Sequence, residues 1–368
     1  MTPQRRLREL EEEIRRHFGV THVFLVSSGK AALALTLLAL KSLSDRTDVV
    51  MPAYTCFSVP AAILKAGLRP ALCDVNPSTF DFDHALLEQA LAPTTLCVIA
   101  HHLFGVPSDI ERIRAQCAAK GIYVIEDAAQ AMGVDVNGRR LGTLGDVGVF
   151  SLGRGKNITC GSGGIIVTSS PAIADAIAPL YDQLGSSSVL GAVKDLLLVV
   201  LMTIFIRPGF YWIVSGLPFL RLGQTIFPKD VEVRRLSGMK AGLMRNWPAR
   251  LTRSNSGRSD AARDFSRRLP LRLPRGPSHP YLRLPIHAHS PKERERIFAL
   301  SQQRGLGLSV AYPGAIDEIP EIRHVFGGKR YPSARKMAGT LLTLPTHQWL
   351  SERDKRAIAT LCRDLAVA

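Results

Sequence analysis

A single lysine among five glycines, held between two short apolar runs, constrains this chain more than any other feature. The stretch reads Phe150-Ser-Leu-Gly-Arg-Gly-Lys-Asn-Ile-Thr-Cys-Gly-Ser-Gly-Gly164, with Lys156 at its centre. Residues 147–152 before it and 165–168 after it have the composition of buried strands, so Lys156 is expected on a strand-to-strand connection. Gly153, Gly155, Gly161, Gly163 and Gly164 let the backbone approach a ligand or take a positive φ. An ε-amine so placed can lose its proton through desolvation or a neighbouring cation such as Arg154, and then attack a carbonyl. Taken alone, an ordinary exposed loop lysine would look the same.

A second element narrows the choice. In Gly121-Ile-Tyr-Val-Ile-Glu-Asp-Ala-Ala-Gln-Ala-Met-Gly133, residues 122–125 read as a buried strand with Glu126 and Asp127 at its carboxyl end. In open α/β sheets that edge is where ligands bind. An aspartate there and a lysine beyond the next strand form the pair that pyridoxal phosphate (PLP) requires. The carboxylate keeps the pyridine nitrogen protonated so that the ring accepts electrons, and the lysine links covalently to the cofactor.

Further motifs occur in one order: Ser27-Ser-Gly-Lys-Ala-Ala-Leu33, Pro52-Ala-Tyr-Thr55, His102-Leu-Phe-Gly-Val-Pro107, Glu126-Asp-Ala-Ala-Gln-Ala131, Gly142-Thr-Leu-Gly-Asp146, Lys156-Asn157 and Leu344-Pro-Thr-His347. Together they resemble the DegT/StrS-type family of PLP-dependent sugar aminotransferases. The resemblance covers most of residues 1–185 and, more thinly, 231–368. It implies an α/β chain of the aspartate-aminotransferase-like fold (fold type I), with a large mixed-sheet domain and a smaller C-terminal α+β domain. It further implies Lys156 and Asp127 as catalytic residues. Gly29, Lys30, Ala31 and Ser151 would lie at the cofactor phosphate, Gln130 at the ring hydroxyl, and His102 near the pocket. Gln130 falls on the face of Asp127 if a helix begins there.

The chain departs from the family pattern at several positions. Lys30 stands where threonine is usual, Ser162 where glutamate is usual, and Val233 where an asparagine commonly reaches the partner subunit's cofactor. Cys56 replaces the aromatic that stacks on the ring, and Phe57, one position away, should point elsewhere. Lys156 itself is kept, which favours transamination over the related dehydratases that carry histidine there.

The 368 residues suffice for two domains, and 46% hydrophobic with 21% charged residues is a globular balance. The expected division is a large domain over 1–185, an apolar insert over 186–227, a basic return to the large domain over 228–250, and a small domain over 251–368. Residues 196–206 and 209–220 carry no charge and are interrupted by Arg207-Pro208, each run being shorter than a bilayer span of about 20 residues. Residues 229–275 then hold thirteen Lys/Arg against four Asp/Glu, within a net charge of +16. An apolar element beside a basic run suits the interface of an anionic membrane; a solvated helix face is the plainer alternative. Without a zinc finger, helix-turn-helix or stacking platform, nucleic acid is not expected.

Six cysteines without CxxC spacing and a charged amphipathic helix over 5–18 predict a reduced, cytoplasmic chain without a signal peptide, peripheral at most to the inner membrane face. His101-His102 has no carboxylate constellation around it, so no metal is expected. The expected activity is amino transfer to a nucleotide- or lipid-linked keto sugar, in glycoconjugate or polysaccharide synthesis. Family analogy implies a homodimer with glutamate as donor. The alternative is a PLP-binding member whose catalysis is lost or redirected. A Rossmann-type oxidoreductase lacks its G-x-G-x-x-G after the first strand.

Overall fold

The structure, a computed structural model, describes residues 2–185, 226–228 and 230–363. The chain opens with α1 (Pro3–Phe18), which buries Leu10, Ile14 and Phe18 on one face. Strands and helices then alternate: β1 (His22–Val26), α2 (Gly29–Ser42), β2 (Asp48–Pro52), α3 (Ser58–Lys65), β3 (Arg69–Cys73), α4 (His84–Ala90), β4 (Thr95–His101), α5 (Ile110–Ala118) and β5 (Tyr123–Asp127). After the small hairpin β6 (Asp135–Val136) and β7 (Arg139–Arg140) come β8 (Val147–Ser151), β9 (Gly164–Thr168) and α6 (Pro171–Asp182).

Seven strands form one sheet in the order β1-β9-β8-β5-β4-β2-β3. β9 runs antiparallel to β1 and β8, and the remaining pairings are parallel. The sheet is therefore mixed, as expected. Because β9 opposes both neighbours, β1 runs the same way as β8, and its carboxyl end meets the same edge. The helix that follows β1 starts because Ser28 is extended and its hydroxyl accepts the Ala31 N–H at 3.1 Å. Its Ala/Leu composition lets α2 lie almost wholly buried against the sheet and α3.

The second half contains α7 (Gly238–Leu243), α8 (Trp247–Arg268), β10 (Arg283–His287), α9 (Pro291–Gln303), α10 (Pro332–Thr340), β11 (Leu341–Pro345) and α11 (Glu352–Leu361). β10 and β11 pair antiparallel, and their buried residues join those of α9 and α10 in the main core. Residues 231–236 return to the first half: Arg235 bridges Val26, and the Leu236 N–H donates to the Leu25 carbonyl at 3.0 Å.

One local condition of the sequence reading is not met. No helix begins at Asp127; residues 128–134 make successive turns, with Ala131 N–H on the Ala128 carbonyl and Val134 N–H on the Ala131 carbonyl. Helix α8 runs unbroken from Trp247 to Arg268. Its buried face includes Asn255 and Arg258, polar residues that hide the apolar periodicity. Strand β10 lies at Arg283–His287, and the last described helix, α11, at Glu352–Leu361.

The two halves are fastened by a cap contributed across the interface. Helix α10 begins at Pro332, and its N-cap Tyr331 makes no side-chain capping hydrogen bond. Asp74, just beyond β3, accepts Ser333 N–H at 2.9 Å and Ala334 N–H at 2.8 Å. A carboxylate on otherwise orphaned amides at a helix start is the favourable charge arrangement. Among the described helices none is long and apolar enough to cross a membrane. The apolar insert expected at 186–227 lies outside the described residues except for Ile226 and Phe227.

Candidate active site

The carboxyl ends of β1, β2, β4, β5 and β8 open on one side of the sheet, and the residues that follow them line a single cavity of about 150 Å³. Gly29, Lys30, Cys56, His102, Asp127, Gln130, Ser151 and Lys156 all border it, together with Thr55 and His101. Eight of the nine residues expected at the site are thus brought together. Ala31 is the exception: it is fully buried within α2, and its N–H is committed to Ser28.

At one end lies the start of α2. An added Cβ on Gly29 would come within 2.8 Å of Ser151 Cβ, so the glycine keeps this end open. A cradle between a helix N-terminus and a serine hydroxyl suits an anion such as a phosphate group. Gly164 serves the same junction, since a Cβ there would lie 2.1 Å from the Ser28 carbonyl oxygen. The stem of Lys30 lines the cavity, while its ammonium donates to the Asp230 carbonyl at 3.3 Å.

At the other end Asp127 closes β5. One of its oxygens accepts the Ala129 N–H at 3.1 Å; the other accepts no hydrogen bond among the described residues. Lys156 lies half-buried on the loop between β8 and β9, and its amine has no partner among the described residues. Asn157 anchors that loop by donating to Asn255 of α8 at 3.0 Å, and Asn255 in turn donates to the Met132 carbonyl. Cys56 faces the cavity and contacts Ser58 Oγ at 3.4 Å, whereas Phe57 turns away to stack on Tyr312.

Beneath Asp127, Glu126 is fully buried. One carboxylate oxygen accepts His102 Nε2–H at 2.9 Å and Gly142 N–H at 2.8 Å. The other accepts the N–H groups of Leu144 and Gly145. Because Ser108 N–H donates to His102 Nδ1 at 3.1 Å, that nitrogen is unprotonated, and the imidazole is the neutral Nε2–H tautomer. Burial pushes the Glu126 carboxyl up, but the His102 and amide hydrogen bonds outweigh it and hold it below the usual carboxylate range. His102 is therefore committed to positioning the strand end. His101 is tied between Thr55 and the Phe80 carbonyl, and burial lowers its basicity.

Tyr312, a small-domain residue, escapes the sequence motifs. It receives a hydrogen bond from Gln130 Nε2 at 2.9 Å, and its ring packs edge-on against Tyr54. Burial, then Cys56 and Asp127 nearby, push its hydroxyl well above the ordinary tyrosine range, so it remains protonated. A bulky tyrosine before Pro313 carries no chemistry-specific spacing, which leaves nothing local to single it out. At the departures, Ser162 receives the Lys240 ammonium at 2.9 Å, and Val233 packs against the main core. No cluster of three or more His, Cys, Asp or Glu able to hold a metal occurs among the described residues.

Comparison with known proteins follows the same lines. The chain is 28% identical to the UDP-N-acetyl-3-dehydro-alpha-D-glucosamine 3-aminotransferase of Acidithiobacillus ferrooxidans over 365 residues, covering 97% of this chain and 87% of that protein. It is 28% identical to the dTDP-4-dehydro-2,3,6-trideoxy-D-glucose 4-aminotransferase of Saccharopolyspora spinosa over 367 residues, covering 96% and 87%. Spr1654 from Streptococcus pneumoniae, in its PLP form, superposes with a TM-score of 0.78 at 19% identity, covering 97% of this chain and 90% of that one. The architecture is fold type I, as expected. The sequence model of the DegT/DnrJ/EryC1/StrS aminotransferase family matches residues 1–191, just over half the chain and the part that holds every lining residue, and the chain belongs to that family.

Proposed function

We propose that this protein is a PLP-dependent aminotransferase acting on a keto sugar linked to a nucleotide or a lipid, with glutamate as amino donor and a homodimer as the working form. The observation that carries the reading is one cavity bordered by an amine without a partner among the described residues, a strand-end carboxylate and an open helix N-terminus. Bound there, PLP supplies the electron-accepting ring that amino transfer needs. Lys156 Nζ holds the cofactor and moves a proton to and from the substrate carbon. The Asp127 carboxylate keeps a proton on the ring nitrogen. Gln130 orients the ring hydroxyl, while Ser151 and the Gly29 end of α2 receive the phosphate. Nucleotide-sugar specificity rests on the two curated relatives, which act on UDP- and dTDP-linked sugars by their names.

The decisive experiment reduces the PLP-loaded protein with borohydride and maps the labelled peptide. The label is expected on Lys156; recovery on another lysine would end the assignment. Lys156→Ala should then lose amino transfer by orders of magnitude. One observation favours a second reading, a binding protein with redirected catalysis: among the described residues no phenylalanine, tyrosine or tryptophan lines the cavity, and Cys56 stands at the ring-stacking position. Failure of glutamate to bleach the visible cofactor band would favour it.

A cytoplasmic protein resting on the inner membrane face is part of the proposal, supported by the uncharged runs at 196–206 and 209–220 beside the basic segment. The intact protein should float with anionic liposomes more than neutral ones, and replacing 190–222 by a Gly/Ser bridge should abolish flotation while PLP stays bound. Loss of PLP from that variant would mean the segment belongs to the core.

A further inference from the structure

The Gln130 carboxamide is held at both ends. Phe104 N–H donates to its Oε1 at 3.0 Å, and a backbone N–H can only donate. The oxygen must face Phe104, which turns the nitrogen to the Tyr312 hydroxyl at 2.9 Å. One Nε2 proton is used there, and the second is left on a side chain that borders the cavity. Tyr312 comes from the other half of the molecule, 182 residues along the chain. Its ring is fixed by Tyr54 edge-on and Phe57 face-on.

The backbone at both ends of this contact is unusual. Phe104 and Ala311 each have φ of 58°, a left-handed conformation that non-glycine residues rarely adopt. Left-handed residues persist where surrounding packing over-determines them, often at ligand sites. The neighbour of the tyrosine and the donor to the glutamine are both held this way. The Tyr312 hydroxyl donates to no described residue.

We infer that Tyr312 is a positioning residue: its hydroxyl locks the Gln130 carboxamide in the orientation that presents N–H to the cofactor, so the site is complete only when the small domain is seated. The inference rests on the cofactor reading above. Its test is a double-mutant cycle on the PLP dissociation constant with Tyr312→Phe, Gln130→Ala and the double variant, with apo-protein melting temperatures measured alongside. Tyr312→Phe keeps the ring and its packing, so the fold is expected to survive. It should weaken PLP binding about tenfold, the effect of one hydrogen bond of about this strength, and shift the visible cofactor band. In the Gln130→Ala background the same substitution should change nothing further.

Equal losses in both backgrounds would mean that Tyr312 acts independently of Gln130 and would overturn the inference. A lower melting temperature with unchanged PLP affinity would make the contact a domain clasp only, and would overturn it as well. A wild-type chain that takes up no PLP would overturn the cofactor reading and this inference with it, whereas binding with additive effects would overturn this inference alone.

Discussion

Glu126→Gln tests how the sheet edge is built. The wild-type carboxylate accepts four hydrogen bonds, two on each oxygen. Glutamine presents one oxygen and one NH₂, so either rotamer sets the NH₂ against two N–H donors. Facing His102, the imidazole could release its Nε2 proton only by taking one at Nδ1, where Ser108 N–H already donates. Two hydrogen bonds to a charged acceptor, at about 1.5–3 kcal/mol each, are lost. Relief of the buried charge offsets part of this, leaving about 3 kcal/mol net. At roughly 2.1 cal/mol/K of unfolding entropy per residue, a chain of 368 residues should melt roughly 4 °C lower, read by calorimetry of the apo-protein at pH 7. The folded Glu126 pKa lies below its unfolded value, so its contribution is present above the unfolded pKa of about 4.3 and is lost as pH falls through the folded one. The gap between the two proteins should therefore close in acid. A variant melting within about a degree of wild type at pH 7, or a gap that persists in acid, would refute the account.

Three other substitutions probe the remaining contacts. Asp127→Asn should leave PLP bound but slow the glutamate half-reaction by orders of magnitude, because a neutral pyridine is a poorer electron acceptor; near-normal turnover would show that the ring nitrogen is held otherwise. Gly29→Ala forces a Cβ to within 2.8 Å of Ser151 Cβ; overpacking of about 1–3 kcal/mol should appear as weaker PLP or phosphate binding, and unchanged affinity would count against this end as the phosphate cradle. Asp74→Asn removes the charge from the start of α10 and leaves only one of its oxygens to accept from Val75, Ser333 and Ala334, so about 1–2 kcal/mol of local stability should go, with faster hydrogen exchange over 333–340; unchanged exchange would mean the helix start is satisfied without it.

Much of the site was legible because its signals are local. Ser28 before an Ala/Leu run specifies a capped helix, and alternation of strands and helices places Asp127 and Lys156 at the ends of neighbouring strands. Those patterns depend only on residues a few positions apart, within reach of side-chain caps and periodicity. Residues 128–134 form turns rather than the helix that would set Gln130 on the face of Asp127. Tertiary bonds at Glu126 and Gln130 hold the segment otherwise.

Residue order alone thus carried the strand and helix alternation, the strand-end carboxylate, the lysine loop and the family pattern that joins them. Contacts between distant segments came from the folded chain instead: Asp74 capping a helix 260 residues away, Asn255 steadying the Lys156 loop, and Tyr312 bonded to Gln130. Each pairs a common polar residue with a partner that the chain's linear order does not indicate. Hydrogen-bond geometry, which selects such partners, exists only once the sheet and the small domain have brought them within about 3 Å.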